Sequence, residues 1–253
     1  MPNWCYTNVT FYSNNKAQIK KMYKDFKKIY DGQATCANGF GHGWLGDYAN
    51  TYFTRQELIP KVKDEGFLFP YEVINCRGSI IDIDEKVRFL KEDPTGSWYA
   101  FSVQTETAWG VKMGLFWEII QKEYPDIMIA YMGEESGCEV FLKYDPDDLF
   151  YPEEYYVDWF CEDERVSKIE CPDNHYFENL DEARNYIAES FSVKIPELFA
   201  YQLEDLQEFL RGLFHEHFKK IEDYEKVGVY INEFQVCHPS EFEFIKSEFL
   251  KKE

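Results

Sequence analysis

The sequence predicts an α+β protein whose first part is an antiparallel sheet covered on one face by two helices. Three observations carry that prediction. "NWCYTNVTFYS" alternates with period two, placing Cys5, Thr7, Val9 and Phe11 on one face and Trp4, Tyr6, Thr10 and Tyr12 on the other. "NNKAQIKKMYKDFKKIYDG" then switches to helical spacing through Ile19, Met22, Tyr23, Phe26, Ile29 and Tyr30, with lysines around the remaining surface. After an insertion, two strand-like segments, one helix and a further strand follow in that order.

Each element has its own local signal. Residues 33–75 form the insertion, with the glycine-rich approach "NGFGHGWLGDY" and a capping-box pattern "TRQE" at Thr54–Glu57. "CRGSIIDID" (76–84) and "SWYAFSVQTETAW" (97–109) read as strands joined by a charged connection containing "EDPTG". Thr107 is placed to cap a helix that carries Met113, Phe116, Trp117, Ile120 and Tyr124 and stops at Pro125. "DIMIAYM" and "CEVFLKY" complete the sheet around the turn "GEESG". The order is that of a ferredoxin-like sandwich over about residues 1–145.

The motifs "MPNWC" at the N-terminus, "WLG" at 44–46, "CRGS" at 76–79, "TETAWG" at 105–110 and "EESGC" at 134–138 resemble the YubB ferredoxin-like family of phages, plasmids and bacterial genomes. The resemblance covers residues 1–145 alone and implies a fold and a mobile-element setting. That family has no established function, so no catalytic residues carry over. Residues 146–253 read as a separate acidic α+β domain. In it "YYVDWFC" is a strand, helices run through Leu180–Ile187 and Leu203–Phe214, and "VGVYINEF" is a strand. A final helix is expected behind a capping box of Ser240 and Glu243.

Charge bounds the function. The chain of 253 residues has a formal net charge of −20, which on average repels nucleic acid and anionic membranes and favours a basic partner. The imbalance is uneven: residues 1–150 hold 16 basic against 22 acidic side chains, and residues 151–253 hold 11 against 25. With 19% aromatic residues the chain has the means to fold. Seven cysteines at irregular spacing, no C-x-x-C and no apolar run of membrane-spanning length give the expectation of reduced thiols in a bacterial cytoplasm, with no cofactor.

The densest signal is "DPDDLFYPEEYYVDWFCEDE" (145–164), with nine carboxylates and no basic residue. An ordinary charge run is a solvated face. This one is mixed with the aromatic types that anchor interfaces, so Asp147, Asp148, Glu153, Glu154, Asp158, Glu162, Asp163 and Glu164 are expected to bind a partner, with Tyr155, Tyr156 and Trp159 as anchors. The partner expected is a basic, nucleic-acid-binding host protein such as a defence effector. An alternative places His42, Trp44 and Arg77 around a small nucleotide-like anion beneath the 39–48 loop. A further alternative stacks RNA bases on Tyr6, Tyr12, Tyr99 and Phe101.

Weaker constellations are present too. Cys161, Cys171 and His175 with Cys237 or His238 offer zinc-type donors without zinc-type spacing, and His215-Glu216-His217 falls short of H-E-x-x-H. Cys5 and Cys138 are lone thiols, and Glu106, Glu134 and Glu135 are carboxylates in an acid-rich chain. No metal site and no catalytic residue is assigned from them.

Overall fold

A computed structural model describes residues 3–32, 43–53, 77–161, 175–217 and 227–244; for 159–161, 198, 200, 214–217 and 227 it describes the backbone alone. The chain is mixed α/β and divides into two compact units, Met1–Tyr151 with Val236–Glu253, and Pro152–Gln235. A single boundary near residue 145 is therefore replaced by two crossings. The return has local causes: Cys237 N donates to Lys143 O (3.0 Å), Tyr131 OH donates to Cys237 O (2.6 Å), and Phe244 packs on Phe53.

The first unit is built on β1 (Trp4–Ser13). Its neighbours are β4 (Gly96–Ala108) and β5 (Met128–Glu135), both antiparallel. Outward from these lie β2 (Gly78–Ile83) and β3 (Arg88–Asp93) on β4, and β6 (Val140–Tyr144) on β5. The sheet order is β10-β6-β5-β1-β4-β2, where β10 is Gln235–Val236. The strand β3 lies within what the sequence reads as a charged connection. "RFLKED" alternates only weakly and buries little, so its strand character comes from pairing with β4 across a turn in which Asp93 accepts from Thr95 N (2.8 Å).

Helices α1 (Lys16–Tyr30), α2 (Leu45–Tyr52) and α3 (Met113–Glu123) share one core with the inward side of the sheet. Asn15 caps α1 by accepting from Gln18 N (3.1 Å), and Lys27 and Lys28 sit in its last turn, where positive charge is favoured. The N-cap of α3 is Lys112, without a side-chain bond; Thr107 belongs to β4, and its buried hydroxyl donates to Gly110 O (2.8 Å). Gly43 (φ +72°) precedes α2 and accepts from Ile80 N, and a Cβ there would lie 2.2 Å from Ile80 O. That contact ties the helix to β2.

Phe11 is the centre of the core. Its ring lies 5.4 Å from Phe26 of α1, 5.1 Å from Phe101 of β4 and 5.7 Å from Phe116 of α3. One side chain thus touches sheet and both long helices. At the helix ends a polar knot does similar work: Tyr124 OH donates to Asp25 (2.7 Å), lies 2.9 Å from Tyr52 OH, and Lys21 pairs with Asp25 (2.9 Å).

The second unit is a three-stranded antiparallel sheet in the order β8-β7-β9, made of β7 (Tyr155–Cys161), β8 (His175–Phe177) and β9 (Val227–Glu233). Helices α4 (Leu180–Ser190) and α5 (Leu203–His217) pack on it through Leu180, Ala183, Ile187, Leu206 and Leu210 against Val157, Val229 and Ile231. The amide of Gln207 donates to Val229 O and accepts from Ile231 N, both at 2.9 Å, and so satisfies backbone groups on β9, an edge strand among the described residues. In the returning segment, a short 3-10 turn (Pro239–Glu241) is boxed by His238 and Glu241, where the sequence places a cap at Ser240 and Glu243. Among the described residues no helix is long and apolar enough to cross a membrane.

Two outcomes follow. Phe11→Ala should destabilise the first unit by about 3–5 kcal/mol, read from urea denaturation, because the aromatic neighbours cannot close the void. Burial alone would raise Asp25, but the hydrogen bonds from Tyr124 and Lys21 outweigh it and hold its carboxyl below the usual range. Its stabilisation is therefore full above the unfolded value of about 3.9 and is lost as pH falls through the lower folded value. Asp25→Asn should flatten that acid limb of the stability-pH curve.

Candidate functional site

The acidic run is divided between the two units. Asp145 closes a turn: its Oδ2 accepts from the backbone N–H of Phe150 (2.6 Å) and Tyr151 (2.8 Å), while Asp148 takes a positive φ of 53°, a conformation that Asp tolerates. Asp147 and Asp148 are exposed, and Tyr12 OH donates to Asp147 (2.9 Å). Burial, then Asp147, pushes the Tyr12 hydroxyl well above its ordinary range.

Glu153, Glu154 and Asp158 belong to the second unit and are half-buried. Glu154 is held through its backbone, donating to Phe177 O and accepting from Phe234 N, both at 2.9 Å. Glu162, Asp163 and Glu164 lie outside the described residues, and Trp159 is described only as a backbone position in β7 opposite Val229. Two expected anchors are corrected. Tyr156 is 6% exposed, its ring tilted against that of Tyr176 at 5.0 Å, and Tyr155 packs on the core of its unit, so neither ring is presented to a partner.

The register of β7 brings forward residues that the sequence reading missed. Tyr156 faces Tyr176 and Asp158 faces Tyr230 across the ladder, so all four share the side of the sheet away from α4 and α5. Tyr176 is 37% and Tyr230 45% exposed. Alternation within "VGVYINEF" was the signal for Tyr230; for Tyr176, in a three-residue strand, there was none.

The other expected sites fare differently. Trp44 is buried in the core beneath β2 and Arg77 is exposed, its guanidinium 4.5 Å from the ring of Trp109, while His42 lies outside the described residues. Trp44 and Arg77 are thus not brought together around a ligand. Nor do the four RNA-type aromatics form a platform. Tyr6 is exposed and donates to Glu106 (3.1 Å), but Phe101 is in the core, Tyr99 lies on the helix side under Lys16, and Tyr12 is covered by Phe150 and Trp98. Glu134 and Glu135 are consecutive in β5 and point to opposite faces.

Among the described residues no group of three or more potential metal ligands comes together; Cys171 lies outside them, and for Cys161 and for His215 to His217 only the backbone is described. Burial, with Glu135 and Glu134 nearby, raises the Cys5 thiol to about 11, which makes it a poor nucleophile. Cys138 is exposed, its thiol raised by the adjacent Glu135.

Comparison with family models, with curated proteins and with solved structures finds no match. The expected thiol behaviour is direct to check. Mass spectrometry after brief alkylation of the native protein at pH 8 should show Cys138 modified and Cys5 intact, and denaturant should expose Cys5. Equal labelling of the two would contradict the burial of Cys5.

Proposed function

We propose that the chain is a non-catalytic binding protein that occupies a basic surface on another protein. The observation that carries this reading is the outer face of the small sheet, where Asp158 lies opposite the exposed Tyr230 and shares the face with the exposed Tyr176, in a unit holding 21 acidic against 8 basic side chains. Carboxylates steer a basic partner by long-range attraction, and partly exposed tyrosines supply contact area at low entropic cost. Asp147 and Asp148 add exposed charge on the first unit.

The same reading takes the first unit as a ferredoxin-like domain. It is supported by the spatial order β5-β1-β4-β2, by antiparallel pairing at each step, and by α1 and α3 on one core. The phage or plasmid setting, and a nucleic-acid-binding defence effector in the bacterial cytoplasm as the target, rest on the family resemblance and on the charge. Competition with nucleic acid for that target is then the mode of action.

The test is capture of host proteins by the tagged full chain, followed by kinetics on the purified partner. Neutralising Asp147, Asp148 and Asp158 to Asn, which suits the positive φ of Asp148, should slow association several-fold and lessen its salt dependence. Tyr176→Ala with Tyr230→Ala should instead speed dissociation about tenfold or more. Unchanged kinetics in folded variants of both kinds would leave the acids as a solvated surface.

A further inference from the structure

The side of the large sheet away from the helices carries a polar pocket of about 270 Å3, at the small end of ligand-binding clefts. Its floor comes from paired positions of two central strands. Asn8 of β1 faces Gln104 of β4, and Thr10 faces Ser102. Asp82, Asp84 and Arg88 form one wall, and Phe150 and Tyr151 the other. All these residues belong to the first unit.

The floor is tied together by a chain of hydrogen bonds. Arg88 pairs with Asp84, whose Oδ2 also accepts from Ser102 N (2.8 Å). The other guanidinium nitrogen donates to Ser102 Oγ (2.9 Å), which lies 2.8 Å from Thr10 Oγ1, itself 3.0 Å from Tyr151 OH. Thr10 and Tyr151 are buried, so this chain is fixed before anything binds. Burial also raises the Tyr151 hydroxyl, which stays protonated at neutral pH.

What the chain leaves over defines the ligand. Arg88, the one cation among the described lining residues, is committed to Asp84 and Ser102, and Asp82 repels anions at the rim, so this lining does not favour phosphate or carboxylate. Among the described residues, the side chains of Asn8, Gln104 and Asp82 have no protein partner. Two amides, each donor and acceptor, beside one carboxylate match adjacent hydroxyl groups, each of which donates and accepts. Phe150 supplies an apolar wall for the C–H face of a ring. We propose that this pocket binds a neutral vicinal diol on a sugar ring, either a free monosaccharide or the ribose of a nucleoside.

Saturation-transfer NMR on the full chain tests this with glucose, galactose, ribose, adenosine, 2′-deoxyadenosine, glucose 6-phosphate and adenosine monophosphate. Saturable binding at millimolar affinity or better is expected for at least one neutral diol, weaker by threefold or more in its phosphorylated form. The Asn8→Ala/Gln104→Ala variant should lose about tenfold, as expected for two hydrogen bonds. Asp82→Asn, a milder change, serves if the double variant does not fold by circular dichroism. Binding of the sugars alone points to a free monosaccharide, and binding of adenosine but not 2′-deoxyadenosine points to a nucleoside. The proposal is overturned if no neutral diol binds, if the phosphates bind as tightly, if 2′-deoxyadenosine matches adenosine, or if folded pocket variants keep wild-type affinity.

Discussion

The register of β1 between β4 and β5 is the constraint on which the first unit depends. Phe11 faces inward to Phe26, Phe101 and Phe116, and the same pleat turns Asn8, Thr10 and Tyr12 outward. A slip of one residue would exchange the two sets and put hydroxyls among phenyl rings. The aromatic core therefore does more than stabilise. By fixing Thr10 opposite Ser102, it also fixes the floor of the pocket on the other side.

Charge is arranged by the same logic of prior commitment. Asp84 and Arg88 neutralise each other beside Ser102, Asp25 is held by Tyr124 and Lys21, and Asp145 is consumed by two backbone amides. Exposed carboxylates are divided between those with a duty, such as Asp147 under the Tyr12 hydroxyl, and those facing solvent, such as Asp148. Binding through bulk charge and binding through a shaped polar pocket thus draw on different residues of one chain.

Periodicity made β1 and α1 legible, because their apolar positions recur at spacings of two and about 3.6 without interruption. It failed for β3, whose strand state is imposed by its partner, and for the return of residues 236–244 to the first unit, which has no local signature. The acidic run was overvalued for a related reason. Counting carboxylates along the chain cannot show that Tyr151 and Pro152 fall in different units or that the Tyr156 ring is buried. The pocket was invisible because Thr10, Ser102 and Arg88 are ordinary residues until strand pairing puts them side by side.

Gln207 has a significance beyond holding α5 to β9. An edge strand whose N–H and C=O groups are open invites another strand, from a second molecule or from an unfolded segment. With its amide seated on Val229 O and Ile231 N, the helix occupies two rungs where such a strand would add. On its β9 side, a small three-stranded sheet rich in tyrosine is thereby guarded against becoming a template for growth by self-assembly.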